Sequence, residues 1–245
     1  MKTGSTKPFG AGSWRLATAA VLLLALAFFS WLMFRITAQY VPVHTDVAFL
    51  RIKQQYLPVT HWLIAFFVHV FTSMFALLAG FTQFSRAIRK RVPAIHRWMG
   101  RLYVLDVVLV TGPASFVMAI YANGGLPSKL AFGILAVGWI ATTFLAYQTI
   151  RRGDVVRHRE WIIRSYALTL SAITLRIWKY LLVAAFHPPP LDVYRLAAWL
   201  GWVPNIIVAE LIIRASSNRV SAISSPRRAS PSPQLPAPHT APDRS

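Results

Sequence analysis

Six long apolar runs separated by short polar stretches organise this chain, at 16–34, 61–84, 100–121, 129–150, 161–186 and 194–213. A helix rises 1.5 Å per residue, so runs of about 20 residues match a bilayer's hydrocarbon thickness. The pattern predicts an all-α membrane protein of about six transmembrane helices. The first run is too long for an ordinary signal-peptide core and lacks a clean small-residue cleavage site, so it reads as an uncleaved first span. The connector 35–60 carries Pro42 and Pro58, and its part 46–55 is expected to form a short interfacial helix. Gly112-Pro113 falls near the middle of span 3 and is expected to kink it there. Asn123 to Pro127 reads as a tight turn, and Pro188-Pro189-Pro190 stops span 5. Pro204 lies inside span 6. From Ala215 the chain is rich in Ser, Pro and Arg and has little to bury, so 215–245 is expected to be a disordered basic tail.

Composition sharpens this picture. The chain is 56% hydrophobic and only 13% charged, with 26 Lys+Arg against 7 Asp+Glu and a formal charge of +19. Such a balance can signal nucleic-acid binding. Here the basic residues sit in short loops between apolar runs, which topology explains and DNA does not. The N-terminal segment 1–15, the loops after spans 2 and 4, and the tail carry most of them. The positive-inside rule therefore puts both termini in the cytoplasm of a multi-pass protein of the bacterial plasma (inner) membrane. The transmembrane domain is 16–214, and its partner is the lipid bilayer, with anionic headgroups at the basic elbows. Protein partners are not readable. Five spans, with the first cleaved or the last lying flat, is the main competing arrangement. The absence of cysteine excludes disulfides, thiolate nucleophiles and iron–sulfur ligation.

A unit occurs twice. His96-Arg97-Trp98-Met99-Gly100-Arg101-Leu102-Tyr103 follows Arg86, Arg89, Lys90 and Arg91. His158-Arg159-Glu160-Trp161-Ile162-Ile163-Arg164-Ser165-Tyr166 follows Arg151, Arg152 and Arg157. Apolar helix, basic elbow, His-Arg, Trp, Arg and Tyr thus recur in order. The expectation is that spans 2–5 form a four-helix bundle of two parallel helix–elbow–helix repeats.

Charges within spans are expensive and mark function by default. Asp106, Arg176, Lys179 and Glu210 qualify. Lys179 can snorkel, Glu210 can pair with Arg214, and Asp106 can pair with Arg101 or Arg164. Arg176 is harder to dismiss. On span 5, His158, Ser165, Thr169, Ala172 and Arg176 share one helical face; on span 2, His69, Thr72, Ser73, Ala76 and Gly80 do. Residue counting puts His69 about 12 Å and Arg176 about 15 Å below the helix ends remote from the elbows, so they are expected to share a depth. This defines a polar intramembrane site of His69, Asp106 and Arg176 between spans 2 and 5.

The elbow histidines allow two readings. His, Trp and Arg at headgroup level anchor helices. Alternatively His96 and His158 are axial ligands, the only metal role foreseen here, of one haem b, with Arg101 and Arg164 reaching its propionates. Zinc-protease, phosphate-loop and nucleophile-elbow motifs are missing. Two function classes follow: a haem-b membrane electron carrier or oxidoreductase, and a non-enzymatic transporter or assembly protein using the polar site. The catalytic residues of an enzyme reading stay unknown.

The run 78–84, Leu-Ala-Gly-Phe-Thr-Gln-Phe, followed by the His96 to Tyr103 block, resembles the bacterial membrane proteins grouped as domain of unknown function 2306. So do Arg152-Gly153-Asp154, the 158–168 block and Thr174-Leu175-Arg176. The resemblance covers a core of about 61–186. It implies an integral membrane protein marked by these His, Arg and Tyr positions, with no activity attached. The bundle is also similar to the cytochrome b561 type by fold analogy, although span 4 lacks the histidine that type uses.

Overall fold

In the computed structural model, the structure describes residues 13–224, with side chains over 17–218. Ten α-helices lie among the described residues: α1 Ser13–Ala38, α2 Thr60–Gln83, α3 Arg86–Arg91, α4 Pro93–Leu105, α5 Gly112–Ile120, α6 Leu126–Arg151, α7 Val155–Thr169, α8 Ser171–Phe186, α9 Pro190–Leu200 and α10 Val203–Ser224. No strand occurs among the described residues. Among the described residues five helical stretches are long and apolar enough to cross a membrane, or six when the bent pair α7–α8 counts as one. The large apolar side chains left exposed on α1, α2, α6 and α10 would be a liability in water and are what a lipid-facing surface requires. The 1–12 part of the N-terminal segment and 225–245 lie outside the described residues.

Several expectations change in detail. The connector forms two 3₁₀ turns, Ala48–Ile52 and Gln54–Tyr56, rather than one helix over 46–55. In span 3 a π turn, Asp106–Thr111, joins α4 to α5 immediately before Gly112-Pro113. Proline cannot donate an amide hydrogen bond to the preceding turn, and a register widened to i−5 absorbs that loss. Span 5 is bent by 41° between α7 and α8 although it holds neither Gly nor Pro. Thr169 and Thr174 flank the bend, and their hydroxyls bond back to the carbonyls of Ser165 and Leu170. Such back-bonding bends helices. Finally, α10 runs through Ser224, past the 214/215 boundary. No Gly or Pro interrupts 215–224, and Pro226 is the first residue able to stop it.

The bundle heart is small-residue packing around aromatic wedges. Ala76, Ala79, Tyr103, Val107, Trp139, Tyr166 and Leu168 form one buried cluster joining α2, α4, the π turn, α6 and α7. A second cluster, Tyr40, Leu50, Trp62 and Phe66, seats the connector on the end of α2. Lys53 pins that connector: its Nζ donates to the Tyr121 carbonyl at 2.5 Å and to Asn123 Oδ1 at 2.7 Å, and lies 4.7 Å from the Tyr56 ring centre. Only 1% of the residue is exposed. Burial, with the charge of Lys129 adding to it, brings the amine's pKa down to about 8. Between that value and the ordinary lysine pKa of about 10.4 the folded chain binds fewer protons than the unfolded chain, so stability rises with pH there. The stability difference between wild type and Lys53→Met, followed by thermal unfolding, is expected to grow in favour of wild type from about pH 8 to about 10. A difference flat across that window would contradict the buried amine.

Candidate functional site

Two hydrogen-bonded clusters fill the polar interior of the bundle. The first is a knot of hydroxyls. Tyr103 Oη of α4 lies 2.6 Å from Ser165 Oγ and 2.8 Å from Thr169 Oγ1 on α7. Trp139 Nε1 of α6 donates to Thr169 Oγ1 at 2.9 Å, and Thr143 Oγ1 lies 2.6 Å from Ser165 Oγ. Buried hydroxyls must be satisfied in a low-dielectric interior. Here three helices satisfy one another, and the knot carries no free donor. It is a structural clamp.

The second cluster holds ionisable groups. Thr111 Oγ1 donates to Asp106 Oδ1 at 2.5 Å and also contacts Thr72 Oγ1 on α2. Ser115 Oγ donates to the Thr111 carbonyl at 2.7 Å, which leaves it to accept from His69 Nδ1 at 2.8 Å. His69 and Asp106 therefore converge on one residue, Thr111, which is fully buried. Asp106 Oδ2 is buried and has no partner among the described residues. The carboxyl borders a cavity of about 280 Å³ lined by Thr72, Phe75, Met99, Tyr103 and Val110. The π turn positions all of this: the wider register swings Asp106 and Thr111 onto the face that meets α2. Three other acids, Asp154, Asp192 and Glu210, each pair with an arginine. Asp106 instead sits against a hydroxyl.

The sequence-derived residues sort unevenly. His69 and Asp106 do come together, but across α2 and the α4–π–α5 span, and not between spans 2 and 5. Arg176 does not join them through a hydrogen bond. Its Nη1 donates to the Ala172 carbonyl of its own helix. Asp106 pairs with neither Arg101 nor Arg164. Arg164 makes a two-pronged pair with Glu210, at 2.5 and 3.0 Å, displacing the expected Arg214. Its guanidinium also stacks on Trp161 at 4.7 Å. Arg101 stacks on Trp98 at 5.2 Å in the same i, i+3 geometry. Of the haem quartet, Arg164 is thus committed elsewhere. His158 Nδ1 donates to the Ala146 carbonyl at 2.8 Å, and His96 Nδ1 is buried with no partner. The ring of His96 faces the Thr82 carbonyl, and the two histidines lie within electrostatic reach of each other. Among the described residues no group of three or more His, Cys, Asp or Glu is placed to hold a metal ion.

Lys53, Ser115 and Thr111 escape the sequence reading. Their signal is weak: Lys53 lies in a loop, and a π turn has no sequence pattern that places Thr111 and Ser115 opposite α2.

A helical bundle with lipid-facing apolar surfaces and polar groups held inside is that of a multi-pass membrane protein. The chain matches the family of predicted membrane proteins known as domain of unknown function 2306 over residues 66–213, and it belongs to that family. The match reaches into α10, beyond the motifs that carry the resemblance. No curated protein and no solved structure is significantly similar to the chain.

Proposed function

We propose that the protein is a proton-linked membrane transporter whose working groups are Asp106 and His69. The observation that carries this reading is their convergence on Thr111 inside the bundle. Asp and His residues within membrane spans face the bundle interior and form proton relays in pumps and transporters. Ser115 and Thr111 each have one hydroxyl proton to place. His69 Nδ1 already carries the proton it donates to Ser115, so a further proton enters at Nε2. The charge it brings strengthens the Nδ1–H bond to Ser115, which is tied through Thr111 to Asp106, and the two sites are coupled. The Asp106 cavity gives the carboxyl a route to the bundle's flank. The test is infrared titration of the purified protein: a protonated-carboxyl band that responds to pH and disappears in Asp106→Asn.

A second reading is favoured by one observation. His158 Nδ1 is anchored on a backbone carbonyl, the outer-sphere arrangement of a metal-bound imidazole, while His96 Nδ1 is buried and unpartnered. Together they suit one haem b in a membrane electron carrier. On that reading, protein purified from haem-replete cells has sharp reduced haem bands that vanish in His96→Ala and in His158→Ala alike. Colourless protein removes it and leaves the elbows as headgroup anchors.

A further inference from the structure

The cavity beside Asp106 has a wall of one chemical kind. Asp106 stands about midway along the 28-residue span Pro93–Ile120. The cavity it borders holds about 280 Å³, and Phe75, Met99, Leu102 and Leu105 form most of its wall with Thr72 and Tyr103. Phe75, Leu102 and Leu105 are exposed on the flank of the bundle, so the cavity opens toward lipid. Its polar neighbours have no proton to give. The Thr72 hydroxyl donates to the Val68 carbonyl at 2.8 Å, and the Tyr103 hydroxyl is held by Ser165 and Thr169. What the wall offers is an acceptor. Asp106 Oδ1 takes the Thr111 proton, while Oδ2 has no partner. Oδ2 lies just under the wall, and the carboxyl torsion of aspartate is soft, so a turn about it presents this oxygen to the cavity. The ion pairs among the described residues, Asp154–Arg157, Arg164–Glu210 and Asp192–Arg195, leave Asp106 out. A carboxyl in such an interior is neutralised by a proton or by a cation beside it.

We infer that this cavity binds a small apolar monoamine as its ammonium ion, held by the Asp106 carboxylate, and that the amine is the solute exchanged for the proton. The inference rests on the transporter reading above and supplies its substrate class. An ammonium brings the donors and the positive charge that the wall lacks. The rings of Phe75 and Tyr103 suit a cation and its apolar body alike. A bare metal ion needs several oxygens, and here one is free. The volume lies just below the roughly 300–1,000 Å³ of drug-sized pockets, so the amine is small. Ammonium and proton compete for one carboxyl, so each expels the other, which is the sign an antiporter needs. Titratable groups near Asp106 are His69 of α2, tied to it through Ser115 and Thr111, and Tyr103 of α4 in the cavity wall. On α4, His96, Arg97 and Arg101 stand nearer the elbow; α5 carries none, and Lys129, Tyr147 and Arg151 stand toward the ends of α6.

Thermal unfolding of the purified full chain in zwitterionic-lipid nanodiscs, titrated with 2-phenylethylamine and separately with 2-phenylethanol, tests this. The amine is expected to raise the unfolding temperature in a saturable way, and the alcohol is not. Asp106→Asn weakens the apparent affinity about tenfold or more, because a charged hydrogen bond is lost. Met99→Trp gives an independent variant: it fills the cavity and abolishes the shift while the Asp106 infrared band persists. Below the amine's own pKa, near the lysine value of about 10.4, affinity should rise with pH by up to about tenfold per unit where Asp106 titrates. Wild type unmoved by the amine, stabilisation that survives Asp106→Asn or Met99→Trp, or a shift as large with the alcohol overturns the ammonium site. A titrating Asp106 band without amine binding removes this inference and leaves the proton site standing. Amine binding at an Asp106 that does not titrate removes the exchange and the proton-linked reading with it.

Discussion

Gly112→Ala is expected to lower stability by on the order of 3 kcal/mol and to dismantle the Asp106 cluster together. The Gly112 amide closes the π turn onto the Val107 carbonyl. A Cβ at position 112 would lie 2.1 Å from that carbonyl oxygen and 2.5 Å from Ile140 Cγ1 of α6. The first neighbour is backbone and cannot rotate aside. The turn must therefore open or rewind, and rewinding changes the register that presents Asp106 and Thr111 to Thr72. Thermal unfolding should show a drop of several degrees, and the pH-responsive carboxyl band should shift or vanish with it. A variant of wild-type stability with an unchanged band would mean that the π turn does not position the site.

Gly80→Ala is expected to be nearly as damaging, again by on the order of 3 kcal/mol, through the joint between α2 and α7. The Tyr166 ring lies directly over Gly80: an added Cβ would stand 1.9 Å from its hydroxyl oxygen and 2.2 Å from Cζ. That hydroxyl donates to the Leu77 carbonyl at 2.8 Å, and the ring packs on Phe84 at 5.0 Å. Displacing the phenol strands a buried acceptor and opens the cluster of Ala76, Ala79 and Tyr103. Once the ring is gone, the methyl group has nothing to strike. In a double-mutant cycle Gly80→Ala should then add little to Tyr166→Ala, with an interaction energy of a few kcal/mol. Additive effects would place the damage in α2 itself.

Much of the fold is legible in the chain because the apolar runs are long and the breaks between them are chemically plain. The prolines at 188–190 end a helix as expected, and the glycine-rich turn after Ala122 separates α5 from α6. Asp106, His69 and Arg176 stand out from sequence because charge and imidazole are costly in hydrocarbon. Their partners do not stand out. Helical periodicity assumes 3.6 residues per turn, and the π turn changes the phase of span 3 at Asp106, so face assignments carried across it fail. The bend at Leu170 does the same to span 5, with no Gly or Pro to announce it. Glu210 is drawn to Arg164 rather than to Arg214 because α10 packs along α7, a tertiary choice that sequence neighbours cannot reveal. Lys53 reads as an ordinary loop lysine, since its burial depends on Tyr121 and Asn123 from another part of the chain.

The central claim is that Asp106 and His69 are coupled proton sites, and infrared titration of Asp106 in wild type and in His69→Gln tests it most directly. The account predicts an exchangeable carboxyl band that titrates in wild type, is absent in Asp106→Asn, and titrates over a displaced pH range once His69 is replaced. A band that persists in Asp106→Asn, or whose titration is indifferent to His69→Gln, would contradict it.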